Sequence, residues 1–182
     1  MNLDDAIKGR TSVRKWTNQP IADNDLEELV EAASHAPQSC DRQSMKFLAV
    51  RDRESIRFLC SKPNGGIGFA HNCALAILVL ANLRTYTLPI ERHTIYLDGA
   101  AAMENLLLKA HEKGIGATWL EWTMTKRNED AILGHFRIPR HYRPISTLAL
   151  GYPKEHFEKP ARRKPREFII FEKFENTENV SR

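Results

Sequence analysis

The longest strongly apolar run, Ala74-Leu75-Ala76-Ile77-Leu78-Val79-Leu80-Ala81, falls far short of the roughly 20 residues a membrane-spanning helix needs. The start, Met1-Asn2-Leu3-Asp4-Asp5, is acidic and lacks an apolar centre, so no secretory leader is expected. Cysteine is scarce: Cys40, Cys60 and Cys73 are odd in number and lack metal-ligand spacing. A disulfide framework is thereby excluded, and a reduced, cytoplasmic compartment is expected. The seven histidines contain no His-Glu-x-x-His pattern, so no metal site is expected. Also missing are a Gly-x-Ser-x-Gly nucleophile turn and a phosphate-loop lysine. Gly66-Ile67-Gly68 has the first two glycines of a dinucleotide fingerprint but not the third, and it precedes a strand where the fingerprint must follow one. Repeats and low-complexity stretches are absent.

What remains is an ordinary globular composition, 42% apolar and 27% charged over 182 residues. Such a chain can bury a substantial core, and one domain over residues 1–182 is expected. Its core is expected over about residues 3–153, followed by a basic extension and tail over 154–182. A net charge of +4 favours an anionic ligand without demanding nucleic acid.

Asn24-x-x-Glu27 has the form of a capping box, and Leu26, Leu29, Val30 and Ala33 form an apolar stripe behind it. That helix should stop near Ala36-Pro37. Phe47–Val50 reads as a short buried strand, Glu54–Cys60 as a helix and Ala74–Leu80 as a central strand. A long helix is expected from Asp98, as N-cap, to Gly114 as the residue just past its end. Its apolar residues cover so much of the circumference that burial on more than one side, including against a partner subunit, is expected. Ala117–Leu120 and Thr147–Leu150 complete the strands, and the mixture of elements without βαβ alternation indicates an α+β fold.

Four segments carry candidate chemistry. Arg10-Thr11-Ser12-Val13-Arg14 places two guanidinium groups and a hydroxyl on one face if extended, a face suited to a group with about two negative charges. The others are the loop Ala36–Ser44, the stretch Gly114–Trp122 and the basic tail Lys159-Pro160-Ala161-Arg162-Arg163-Lys164-Pro165-Arg166.

Taken in order, these segments resemble the FMN-dependent nitroreductase family. Arg10–Arg14 matches the family's N-terminal Arg-x-Ser-x-Arg/Lys element. Ala36-Pro37-Gln38-Ser39-Cys40-Asp41-Arg42-Gln43-Ser44 matches its Ala-Pro-Ser-x-x-Asn-x-Gln-Pro loop. Asp98 through Asn105-Leu106-Leu107-Leu108-Lys109-Ala110 to Gly114-Ile115-Gly116 matches its long helix, and Leu150-Gly151-Tyr152-Pro153 and Arg163-Lys164-Pro165 match its closing elements. The resemblance spans roughly residues 3 to 170.

It implies an α+β nitroreductase-like fold, with a mainly antiparallel sheet flanked by helices and a C-terminal tail reaching onto the partner subunit. It further implies a homodimer binding FMN between its subunits, with NADH or NADPH as electron donor. Hydride would pass through the flavin to small electron-poor acceptors such as nitroaromatics or quinones. The cofactor-binding residues implied are Arg10, Thr11, Ser12, Arg14, Ser39, Gln43, Trp119, Leu120, Glu121, Arg162 and Arg163. Arg10, Arg14 and Arg162 or Arg163 would hold the phosphate, the Glu121 backbone N–H would face flavin N5, and Ser39 and Gln43 would come from the other subunit. Cys40 and Asp41 would lie near the substrate. No ionising catalytic side chain is implied, because the protein's contribution is positioning and electrostatics. Asp41 stands where the family usually has asparagine, Ser44 where it has proline, and Ala161 where some members have lysine. Alternatives are a flavin-dependent oxidase, dehalogenase or flavin-modifying enzyme of the same fold, and, more remotely, a non-catalytic nucleic-acid-binding domain using the basic tail.

Overall fold

A computed structural model of the chain describes residues 1–62, 68–87, 93–120, 125–155 and 159–173. Within them the α-helices are α1 (Leu3–Gly9), α2 (Asp23–Ser34), α3 (Arg53–Cys60), α4 (Thr94–Glu112) and α5 (Lys126–His135). The strands are β1 (Met45–Val50), β2 (Leu75–Asn82), β3 (Gly116–Leu120) and β4 (Tyr142–Gly151). They form one sheet in the order β1-β2-β4-β3, with every neighbouring pair antiparallel. This is the expected α+β class.

β2 reads as one continuous apolar run because both faces of the sheet are covered. Leu75, Ile77, Val79 and Ala81 turn to one cluster, shared with Leu29 of α2 and Met103 and Leu106 of α4. Ala76, Leu78 and Leu80 turn to a second cluster, with Ile56 and Leu59 of α3 and Ile132 of α5. The alternation is the ordinary period of two; what differs from many antiparallel sheets is that neither face is wet. Leu78 is fully buried, so Leu78→Ala is expected to cost about 2–5 kcal/mol in a urea unfolding titration.

Helix ends depart from expectation in instructive ways. α2 starts at Asp23 after Ala22 and has no side-chain cap, while the Asn24 amide donates to Glu28 Oε1 at 3.1 Å. The capping box is therefore not formed; Asp23 and Asp25 instead place negative charge in the first turn, where the helix dipole favours it. α4 starts at Thr94, so Asp98 lies inside the helix rather than capping it. Gly114 does end it, with φ +71°. The paired bonds Gly114 N–H to His111 O (3.0 Å) and Ile115 N–H to Ala110 O (2.8 Å) form the left-handed terminal motif. α5 was not foreseen, because its buried apolar residues are only Ile132 and Leu133; Thr125 Oγ1 caps it by accepting from Asn128 N.

The chain between α1 and α2 crosses the ends of β3 and β4 as an arm. Ser12 bridges to Ala117 in parallel sense and Trp16 to Pro153 in antiparallel sense. Val13 N–H donates to Ala117 O (3.1 Å) and Thr17 N–H to Tyr152 O (2.8 Å). The buried Trp16 indole donates to Gly116 O at 3.0 Å. A Cβ on Gly151 would sit 2.9 Å from Trp16, and one on Gly116 only 2.7 Å from Val13, so both glycines are required by the arm's close approach.

Candidate functional site

The arm lays the Arg10–Arg14 segment directly along β3, uniting two of the candidate segments. Arg10 closes α1, its N–H donating to Ala6 O. Its Nε lies 3.7 Å from Glu104 Oε1 of α4. The tail then returns to the same place: Lys159 Nζ donates to the Lys8 carbonyl and, at 3.4 Å, to that of Ile7. These are carbonyls at the C-terminal end of α1, where partial negative charge attracts a cation. Loss of solvent, and then repulsion from Arg10 and Arg162, hold the Lys159 ammonium below its ordinary 10.5, with Glu104 opposing them. Three cations thus crowd one spot. The donor set, two guanidinium groups and an ammonium, fits a phosphate dianion, which would relieve their mutual repulsion. Beside Arg10 a cavity of about 920 Å³ is further bordered by Thr11, His111, Gly116, Ala117 and Pro153. Lys159 was not singled out from sequence; its signal was membership of the same basic run as Arg162.

The other expected residues are placed less uniformly. Arg14 lies over the Phe69 ring at 5.8 Å while Arg10 reaches Glu104, so the two guanidinium groups do not share the single face expected of an extended run. The reason is that Arg10 belongs to the end of α1 and Arg14 to the bridged arm. Arg163 lies over Phe168 at 4.4 Å, within its own tail. Trp119 is 38% exposed on β3. Leu120 is wholly buried in the sheet's second cluster, and its carbonyl accepts from Ser146 Oγ at 2.9 Å. Glu121, expected to offer its backbone N–H to the flavin, lies outside the described residues.

Ser39, Cys40, Asp41 and Gln43 form a second group, on the N-terminal half of α4. Ser39 donates twice to Asp98 Oδ1, from its backbone N (3.0 Å) and its Oγ (3.2 Å). Tyr86 Oη donates to Asp98 Oδ2 at 2.7 Å and lies 2.6 Å from Ser44 Oγ. The Ser44 backbone N–H donates to Gln38 Oε1 at 2.9 Å, a bond that a proline there could not make. Burial, with Asp98 assisting and Ser44 opposing, pushes the Tyr86 phenol up to about 12. Cys40, Asp41 and Gln43 all have positive φ, between 48° and 53°, a conformation unfavourable for non-glycine residues. Gln43 Nε2 donates to Asp41 Oδ2 at 3.1 Å. A cavity of about 680 Å³ adjoins the loop, with Gln38, Asp41, Gln43 and Phe47 on its wall.

α4, which carries both Glu104 and Asp98, is clasped to α2 by charge. Lys113 Nζ lies 2.9 Å from Asp25 Oδ1 and 2.8 Å from Glu28 Oε1. The Lys113 bonds hold both carboxyls below their ordinary 3.8 and 4.5, and Glu28 and Asp25 hold Lys113 above 10.5. Depressed carboxylate values contribute stability that is present above the unfolded values and lost as pH falls through the folded ones. Thermal unfolding midpoints are therefore expected to drop as pH is lowered past 4.5 and 3.8, and Lys113→Met should flatten that drop.

The sheet is covered on both faces, and the cations Arg10 and Lys159 gather at the end of α1, where the arm that bridges to β3 begins. The sequence profile of the Nitroreductase family matches residues 7–64 and 59–152, and the chain belongs to that family. An Archaeoglobus fulgidus protein provisionally named an NADH dehydrogenase/NAD(P)H nitroreductase is 32% identical over 149 residues, 82% of this chain and 84% of its own. Among solved structures, a protein so named from Parabacteroides distasonis superposes with a TM-score of 0.81 at 26% identity, covering 93% of this chain and 97% of its own. A provisionally named nitroreductase of Desulfovibrio desulfuricans, solved in complex with FMN, has the same fold (TM-score 0.80, 24% identity, 96% of this chain and 99% of its own).

Proposed function

We propose that this protein uses FMN to carry reducing equivalents from NADH or NADPH to small electron-poor acceptors, nitroaromatics or quinones. The observation that carries this reading is the docking of Lys159 on the end of α1, within electrostatic reach of Arg10 and Arg162 and where the arm that bridges to β3 begins. The class, an FMN-dependent NAD(P)H oxidoreductase, follows from family membership and from relatives named for NAD(P)H and solved with FMN. Bound FMN supplies the two-electron chemistry that links donor to acceptor.

The chain's own residues hold and shape the site. Arg10, Lys159 and Arg162 would receive the phosphate, with Arg163 and Arg14 as further cations and Ser12 and Thr11 as hydrogen-bond donors at the same end. Guanidinium groups suit that task because they meet phosphate oxygens in pairs. Trp119, Leu120 and Glu121 would flank the ring, Leu120 through its backbone. Ser39 and Gln43 would complete the site from a partner subunit, leaving Cys40 and Asp41 near the acceptor. An exposed carboxylate at Asp41 disfavours anionic acceptors.

A homodimer is supported by the apolar side chains Leu3, Ile7, Leu97 and Phe168–Phe171, which are exposed in the single protomer. The tail is proposed to reach the partner. No helix of the described residues is long and apolar enough to cross a membrane; a cytoplasmic location is proposed from the unpaired cysteines. The test is NAD(P)H oxidation by the FMN-loaded protein, with a neutral nitroaromatic and a quinone as acceptors. Acceptor-dependent oxidation supports the reading, and its absence with both acceptors overturns it.

A further inference from the structure

We propose that Tyr86, acting through Asp98 and Ser44, is a positioning residue that holds the Ser39–Gln43 loop in the shape that receives the acceptor. The inference rests on the proposed placement of that loop at the flavin. Tyr86 lies outside the motifs that carry the family resemblance, and Ser44 stands where the family usually has proline.

The hydrogen bonds have one consistent direction. Asp98 is buried inside α4, and its two carboxylate oxygens accept from Ser39 N, Ser39 Oγ and Tyr86 Oη. Since the phenol proton goes to Asp98, the Ser44 hydroxyl must donate to Tyr86 Oη across their 2.6 Å contact, with Gln38 Oε1 3.3 Å from the same hydroxyl. Gln38 Oε1 also receives the Ser44 backbone N–H. The two ends of the loop, Gln38–Ser39 and Ser44, are thereby tied to one buried carboxylate and one phenol.

Arg42 reinforces the tie from within the loop. It donates to Ser39 O (2.9 Å) and Thr85 O (2.8 Å), and its guanidinium lies 5.2 Å from the centre of the Tyr86 ring. Between these anchors Cys40, Asp41 and Gln43 occupy left-handed backbone, which persists only where surrounding contacts over-determine it. The Ser39 hydroxyl proton is committed to Asp98, so toward a ligand that hydroxyl can act only as an acceptor. The phenol oxygen supplies one of Asp98's three donors and takes the proton of Ser44, and so joins the two ends of the loop.

Tyr86→Phe keeps the ring under Arg42 and removes only the oxygen. Cys40 is the one exposed cysteine, Cys60 and Cys73 being buried, so its alkylation by iodoacetamide reports the loop directly. In Tyr86→Phe the Cys40 alkylation rate and the acceptor KM are each expected to rise about five-fold, the population change that loss of one hydrogen bond produces. kcat should move less than KM. Ser44→Ala, which leaves the Tyr86–Asp98 bond in place, should shift both readouts in the same direction by less, and it stands in should Tyr86→Phe fail to fold. Unchanged alkylation and KM overturn the proposal, and so does faster alkylation with unchanged KM, which reduces the brace to a structural role. Alkylation is measurable without turnover, so failure to use FMN overturns the functional reading while the Cys40 rate still tests whether Tyr86 holds the loop.

Discussion

Replacing Arg10 by alanine is expected to weaken FMN binding by about 10- to 150-fold, the loss of a hydrogen bond to a charged group worth about 1.5–3 kcal/mol. Arg10 is placed by the end of α1, where the arm begins, and it acts electrostatically on Lys159. Its present partner, Glu104, is half exposed at 3.7 Å, and pairs of that kind contribute about 0–1 kcal/mol. The fold should therefore survive the substitution, with a melting temperature close to that of the parent. Activity per bound flavin should change little while flavin occupancy falls. Flavin fluorescence titration reads the first effect and turnover at saturating FMN the second. Lys159→Met should weaken binding in the same sense, and added salt should reduce the difference between each variant and the parent. An Arg10→Ala protein with parental FMN affinity would remove the phosphate from this cluster.

Trp16→Ala is expected to be the more damaging change, because it acts on stability and on the site together. The indole is 3% exposed and donates to Gly116 O at 3.0 Å. Truncating a buried tryptophan costs about 3–5 kcal/mol, and here it also removes the side-chain bond to Gly116 O that fastens the arm to β3. FMN affinity should fall along with the unfolding midpoint, which separates this variant from Arg10→Ala. Gly151→Ala provides a milder version, since its Cβ would meet Trp16 at 2.9 Å and displace the arm without emptying the core. A Trp16→Ala protein with parental stability would show that the arm is held elsewhere.

The contrast between these variants follows from how the site is assembled, and the same assembly explains what sequence could show. Apolar runs were legible wherever burial is two-sided: β2 and most of α4 declare themselves because both faces of the sheet are covered. Gly114 was legible too, because a left-handed helix end leaves few alternatives. Asp98 was not. Its spacing before an apolar stripe is that of an N-cap, and only the arrival of Ser39 and Tyr86 from distant parts of the chain draws its carboxylate into the core. The capping box at Asn24 failed for a related reason, since an acidic first turn can begin a helix without one. α5 has too narrow an apolar stripe to be seen.

The order of motifs was enough to indicate the family, and Arg10 and Arg162 both lie within electrostatic reach of Lys159. Lys159 was missed because convergence of the tail on the end of α1 depends on tertiary folding. Arg14 and Arg163, counted from sequence as equals of Arg10, instead lie over Phe69 and Phe168. Spacing along a chain orders side chains only while the backbone stays regular, and the arm changes conformation at Arg10.

The central claim, that this chain is an FMN enzyme fed by NAD(P)H, is tested most directly by the visible absorbance of the purified protein before and after NADH and NADPH are added separately. The account predicts a yellow protein, or one that becomes yellow and retains its colour after FMN is added and the excess removed, and that bleaches without oxygen on addition of at least one nicotinamide. A protein that stays colourless after exposure to FMN, or a bound flavin that neither nicotinamide bleaches, would contradict it.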